Sequence, residues 1–124
     1  MVKMKAGRIS VSIDQLPRFE RDFFESDQVI SYIGSGAIGG KASGLAYIQD
    51  IIKQTFGEEG FSGISVTIPR LVVLTTGFYD RFVEYNKLYD IVDAEISDDQ
   101  IALAFLRAEF PAEFVGDIRA LITA

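Results

Sequence analysis

The chain has 124 residues, 48% hydrophobic and 24% charged, which bounds it to one domain with one modest core and argues against disordered, collagen-like and membrane-spanning classes. Its 18 acidic and 12 basic residues leave a net charge of −6, and the bases are scattered singly, so nothing marks a nucleic-acid partner. Cysteine and histidine are both absent, which removes disulfides, thiolate metal sites, thiol nucleophiles and every imidazole function from the chemistry this chain performs by itself.

The opening MVKMKAGRISVSIDQL is basic but has no continuous apolar run, and no stretch of about 18 apolar residues follows, so a cytoplasmic location with no membrane partner is expected. After a loose first seven residues, the alternation in Arg8–Ile13 predicts a short half-exposed strand. Asp14 is placed to cap a short helix that carries Phe19, Phe23 and Phe24. Val29–Ile33 is β-branched and aromatic and reads as a strand entering the breaker-rich turn Gly34-Ser35-Gly36-Ala37-Ile38-Gly39-Gly40. From Lys41 the period becomes helical, with Leu45, Ile48, Ile51, Ile52 and Thr55 on one face and Gln49, Asp50 and Lys53 opposite.

Gly57 is expected to end that helix, and Phe56–Gly63 to form a surface loop. Ile64–Thr67 and then Leu71–Thr75 read as a buried strand, because the apolar run is continuous. Thr75 or Thr76 caps a helix whose Phe78, Phe82 and Tyr85 or Val83 face inward. Ser97-Asp98-Asp99-Gln100 is a capping-box sequence ahead of Ile101, Phe105 and Ala108, and Pro111 suits the first turn of a last helix with Val115, Ile118 and Ile122. The expected class is therefore α/β (α+β), with residues 1–28 an N-terminal strand and short helix and residues 29–124 one compact unit. Three candidate strands make a poor sheet and the chain stops in a helix, so it reads as incomplete.

A strand, a glycine-rich turn and a helix together form an arrangement that binds phosphate, since N–H groups and the helix dipole favour an anion at the helix start. Lys41 sits there, where a cation is disfavoured without an anion beside it. Two familiar phosphate motifs fail. Gly34-x-Gly36-x-x-Gly39 has dinucleotide spacing, but the following strand ends Leu74-Thr75-Thr76-Gly77 with no carboxylate for a ribose. The Walker pattern fails because only three residues separate Gly36 from Gly40, and Ala42 stands where a hydroxyl should meet magnesium. Asp98-Asp99 and Glu58-Glu59 are read as capping and solvated pairs, and the helically spaced Phe78, Tyr79, Phe82, Tyr85 and Tyr89 as core.

Two segments taken together, Ile38-Gly39-Gly40-Lys41-Ala42-Ser43-Gly44-Leu45 and Ile68-Pro69-Arg70 through Thr75-Thr76-Gly77-Phe78-Tyr79-Asp80-Arg81-Phe82, resemble the opening of the nucleotide-binding domain of the phosphoenolpyruvate synthase and pyruvate phosphate dikinase family. That pattern is a Gly-Gly-Lys turn opening a helix, then a Val/Ile-Pro strand ending in paired hydroxyl residues before an aromatic-rich helix. The resemblance covers about residues 29–122, Asp99–Leu121 being similar to the helical stretch that follows in the family. Leu71 departs from the glycine of commoner members, which puts the substrate in question more than the fold.

The resemblance implies an incomplete ATP-grasp-type subdomain in which Lys41 is a ligand of the ATP phosphates, with Gly36, Gly39 and Gly40 as the accompanying cofactor-binding positions. It implies no catalytic or metal-binding residue in this chain. The family's arginine-serine-serine segment, its acidic Mg2+ site and its phosphorylated histidine have no counterpart before Ala124, so the remaining domains of a parent phosphotransferase are the implied partners. Those domains would choose the acceptor, whether pyruvate, a drug or a glucan. By itself the chain is expected to show no turnover and little ATP affinity. The alternative expectation is a non-catalytic regulatory or interaction module that keeps the fold.

Overall fold

The computed structural model describes residues 3–5, 8–57 and 62–124. Strands β1 (Lys3–Lys5) and β2 (Arg8–Ser10) pair antiparallel, Lys3 opposite Ser10 and Lys5 opposite Arg8, so part of the stretch expected to be loose is strand. β2 ends at Ser10 rather than Ile13, because Ser12 starts a 3₁₀ turn over Ile13–Gln15. Ser12, not Asp14, is its cap: Ser12 Oγ accepts from the Asp14 N–H, and the Ser12 N–H donates to Gln15 Oε1 at 3.0 Å.

The helix expected through Phe19–Phe24 does not form. Pro17 drives Leu16 into extended backbone (ψ 147°), and residues 17–19 lie along the next strand, where the Phe19 N–H donates to Tyr32 O at 2.8 Å and the Tyr32 N–H donates to Pro17 O at 3.3 Å. Only a single 3₁₀ turn, Phe23–Glu25, follows. The reward is burial: Phe19 and Phe23 are both inside, and truncating a wholly buried Phe of this kind costs about 3–5 kcal/mol.

β3 (Ile30–Ile33) and β4 (Leu71–Leu74) pair in parallel, Ile30 opposite Leu71 through Ile33 opposite Leu74, and α1 (Gly40–Phe56) runs between them in sequence. The pleat sends alternate side chains to two cores. Ile30 joins Val11, Ile38, Ala46 and Val73 on the α1 side, whereas Ile33 joins Phe19, Phe23, Phe78 and Ile118 on the other. Both cores thus draw on residues 1–28 as well as on the rest of the chain. The expectation for Ile64–Thr67 fails: these residues lie outside the named strands, Ile64 is exposed, and Leu74 at the end of β4 is exposed too.

α1 turns a different face inward from the one its apolar spacing predicted. Ser43 and Ala46 are buried while Ile48 and Ile51 are 47% and 41% exposed. Small residues permit close approach, and the Val11 N–H reaches Ser43 Oγ at 3.5 Å. Gly57 ends the helix at φ +60°, as expected; of the loop after it, Glu58–Phe61 lies outside the described residues.

The remaining helices are α2 (Thr76–Tyr85), α3 (Leu88–Val92), α4 (Asp98–Arg107) and α5 (Ala112–Thr123). The Ser97–Gln100 capping box forms as read, and Pro111 stands immediately before α5. Val83, not Tyr85, takes the inward position on α2, and Phe78 stacks on Phe114 with centroids 4.5 Å apart. Tyr79, Tyr85 and Tyr89 are exposed rather than core, because Phe78, Val83 and Leu88 occupy the inward row. Asn86 joins α2 to the segment before α5, its Nδ2 donating to Phe82 O and Glu109 O and its Oδ1 accepting from the Glu109 N–H.

Candidate functional site

The turn from Gly34 to Gly39 leaves the C-terminal end of β3 and meets the start of α2 at the end of β4. Three backbone donors there are already taken. The Thr75 N–H donates to Ile33 O at 3.2 Å, the Thr76 N–H to Ala37 O at 2.8 Å and the Gly77 N–H to Ser35 O at 3.0 Å. Thr75 Oγ1 caps the helix by accepting from the Phe78 N–H at 3.2 Å. Thr76 Oγ1 accepts from the Ala37 N–H at 2.9 Å, so Ala37 and Thr76 hold each other twice. The anion-binding end of α2 is therefore filled by carbonyl oxygens of the turn itself.

The glycines divide into two kinds. Gly34 (φ +105°) and Gly36 (φ +86°) lie against α2, and a Cβ at Gly36 would come within 2.8 Å of Thr76 Oγ1. Gly77 is equally confined, a Cβ there falling 2.5 Å from Ser35 O. Gly39 (φ +81°) and Gly40 instead face open space: apart from chain neighbours and the helix's own backbone, no atom of the described residues lies within 4 Å of where a Cβ would stand. Of the sequence-derived candidates, Gly39, Gly40 and Lys41 thus share one open helix start, whereas Gly36 shapes the turn from within.

At that start the first helical bond is Ser43 N–H to Gly39 O at 3.0 Å, and Gly39 offers no side chain as a cap. The N–H groups of Gly40, Lys41 and Ala42 have no acceptor among the described residues. Lys41 is exposed and makes no ion pair among them. Ile38, buried in the α1-side core, anchors the chain just before this group. Three donors and an ammonium with no partner among the described residues, beside two open glycines, form an arrangement that favours an anion such as phosphate. The described residues contain no group of three or more acidic side chains placed to hold a metal ion.

A cavity of about 410 Å³ lies elsewhere, at the other end of the sheet, between the Gln15–Pro17 and Asp27–Ile30 segments and the outer turns of α1. Lys53 on its rim is twelve residues along α1 from Lys41, about 18 Å at the helical rise. Its rim of Asp27, Gln28, Gln49, Asp50 and Lys53 contains no buried polar group, and it plays no part in the glycine turn.

Sequence reasoning passed over Thr76 and Gly77 as parts of this site. Thr75 and Thr76 were legible as alternative caps, but the pairing of Thr76 with Ala37 spans 39 residues and leaves no local pattern. The fold and turn define an α/β chain with a strand–turn–helix unit open at its helix start. Comparison with known protein families, with characterised proteins and with solved structures found no match. No helix among the described residues is long and apolar enough to cross a membrane.

Proposed function

We propose that the chain contributes half of a nucleotide site, as the N-terminal part of the ATP-binding domain of a phosphotransferase like phosphoenolpyruvate synthase or pyruvate phosphate dikinase. The observation that carries this reading is the open start of α1: three N–H groups with no acceptor among the described residues, and Lys41, stand beside Gly39 and Gly40, which have clear space on their Cβ side. Backbone dipoles aimed at one point stabilise negative charge without reorganising, which is what positioning a transferring phosphoryl group requires. Lys41 supplies the cation that balances phosphate charge, and Gly39 and Gly40 admit close approach of the oxygens. ATP would supply the phosphoryl group; Mg2+ and the acceptor would be held by other parts of the enzyme.

Titration of the ¹⁵N-labelled chain with millimolar ATP tests this. Amide shifts centred on Gly39–Ala42, lost in Lys41→Ala, with no turnover by the chain alone, are expected. Shifts that are absent, or that survive unchanged in Lys41→Ala, refute the nucleotide site. A second reading, an interaction module without nucleotide, draws on the exposed Tyr79, Tyr85 and Tyr89, and absent shifts at the turn would favour it.

A further inference from the structure

We infer that Thr76 is a positioning residue for the open turn, an inference that rests on the nucleotide reading above for its ligand but on the Ala37–Thr76 geometry for its substance. The donors at Gly40–Ala42 can serve a ligand only if the turn presents them in one arrangement, because a phosphate held by several N–H groups loses affinity when those groups must first be ordered. Two anchors act directly upstream of Gly39. One is Ile38, buried in the core; the other is Ala37, whose N–H and C=O are both engaged by Thr76.

Thr76 is suited to this by its place in the fold. As the first residue of α2 it has an N–H with no intrahelical acceptor, and its hydroxyl stands on the same side, so one residue offers a donor and an acceptor to the two peptide groups that flank a single Cα, that of Ala37. α2 is in turn fixed from behind by Phe78 and Val83, which are buried. The packing of the second core is thereby transmitted to the start of α1 through Thr76. Gly36 completes the clasp, since any Cβ there would collide with Thr76 Oγ1 and push the hydroxyl off the Ala37 N–H. The Thr76 backbone N–H survives any substitution except proline; Thr76→Val exchanges only the hydroxyl for a methyl, Thr76→Ala removes the methyl as well, and Thr76→Ser keeps the hydroxyl.

The test compares Thr76→Val, Thr76→Ala and Thr76→Ser, using inorganic tripolyphosphate as the probe and amide shifts at Gly39–Ala42 as the readout. Thr76→Val and Thr76→Ala should weaken binding about fivefold, within the range one neutral hydrogen bond supplies, while Thr76→Ser stays within about twofold of the parent chain. Hydrogen exchange at the Ala37 amide, measured without probe, should quicken by a similar factor in the first two and not in Thr76→Ser, with exchange in α5 unchanged in all. Equal tripolyphosphate affinity in all four proteins would overturn the inference. So would unchanged Ala37 exchange in Thr76→Val and Thr76→Ala. If the parent chain shows no tripolyphosphate shifts while Ala37 exchange responds as expected, the nucleotide reading fails and the clasp stands as a device that orders the turn.

Discussion

Replacing Gly34 with alanine separates the structural glycines of the turn from the open ones. At φ +105° an L-residue is strained, and the added Cβ would overlap Thr75 Oγ1 and stand 2.8 Å from Phe78 Cβ. Neither neighbour can yield freely, because Thr75 is 1% exposed and Phe78 5% exposed. The backbone strain costs about 1–3 kcal/mol. Displacing Thr75 weakens a cap worth about 1 kcal/mol. Overpacking at Phe78 adds about 1 kcal/mol or more. Together these give a loss of about 3–5 kcal/mol, a large share of the roughly 5–15 kcal/mol that holds a domain of this size. At Gly39, where φ is +81° and the space is open, alanine incurs only the backbone part, about 1–3 kcal/mol. Urea unfolding followed by circular dichroism resolves the pair, since at about 2 kcal/mol per molar the Gly34→Ala midpoint should fall by roughly 1.5–2.5 M. A Gly34→Ala protein no less stable than Gly39→Ala would refute the assignment of the two glycines to different roles.

Ser31 is wholly buried on β3 and its Oγ has no hydrogen-bond partner among the described residues, so Ser31→Ala should be neutral or stabilising by about 1 kcal/mol, and a clear drop in melting temperature would contradict this. Glu113 at the start of α5 is held below its ordinary pKa of 4.5, first by a backbone hydrogen bond and then by Arg81, whose Nε donates to Glu113 Oε1 at 2.7 Å. A carboxyl with a depressed folded pKa stabilises above its unfolded value and loses that contribution as pH falls through the folded one, so the effect is present at neutral pH and is lost on acidification below the ordinary carboxylate pKa. Carboxyl ¹³C titration should show Arg81→Ala raising the Glu113 pKa only part of the way, because the backbone bond remains; complete return to the ordinary value would show that Arg81 acts alone.

What the sequence determined by itself is local. The Ser97–Gln100 box, a cap at Thr75 or Thr76, the β3 strand and the breaker-rich turn after it depend on side chains within a few residues of the backbone they act on, and each was legible, the structure choosing Thr75 as the cap. So was the position of Lys41 at a helix start. Tertiary structure decided the rest. The Phe19–Phe23 stretch has aromatic spacing compatible with a helix, but Pro17 and the hydrogen bonds to Tyr32 hold its first part extended, because two buried rings against β3 outweigh one turn of helix. The apolar row of α1 pointed to Ile48 and Ile51, yet the helix lies on Ala42, Ser43 and Ala46, since small residues allow its backbone to approach β2 and the sheet. The four glycines of the turn look alike in sequence. Only α2, brought alongside from 39 residues away, makes Gly34 and Gly36 obligatory for packing and leaves Gly39 and Gly40 open beside Lys41.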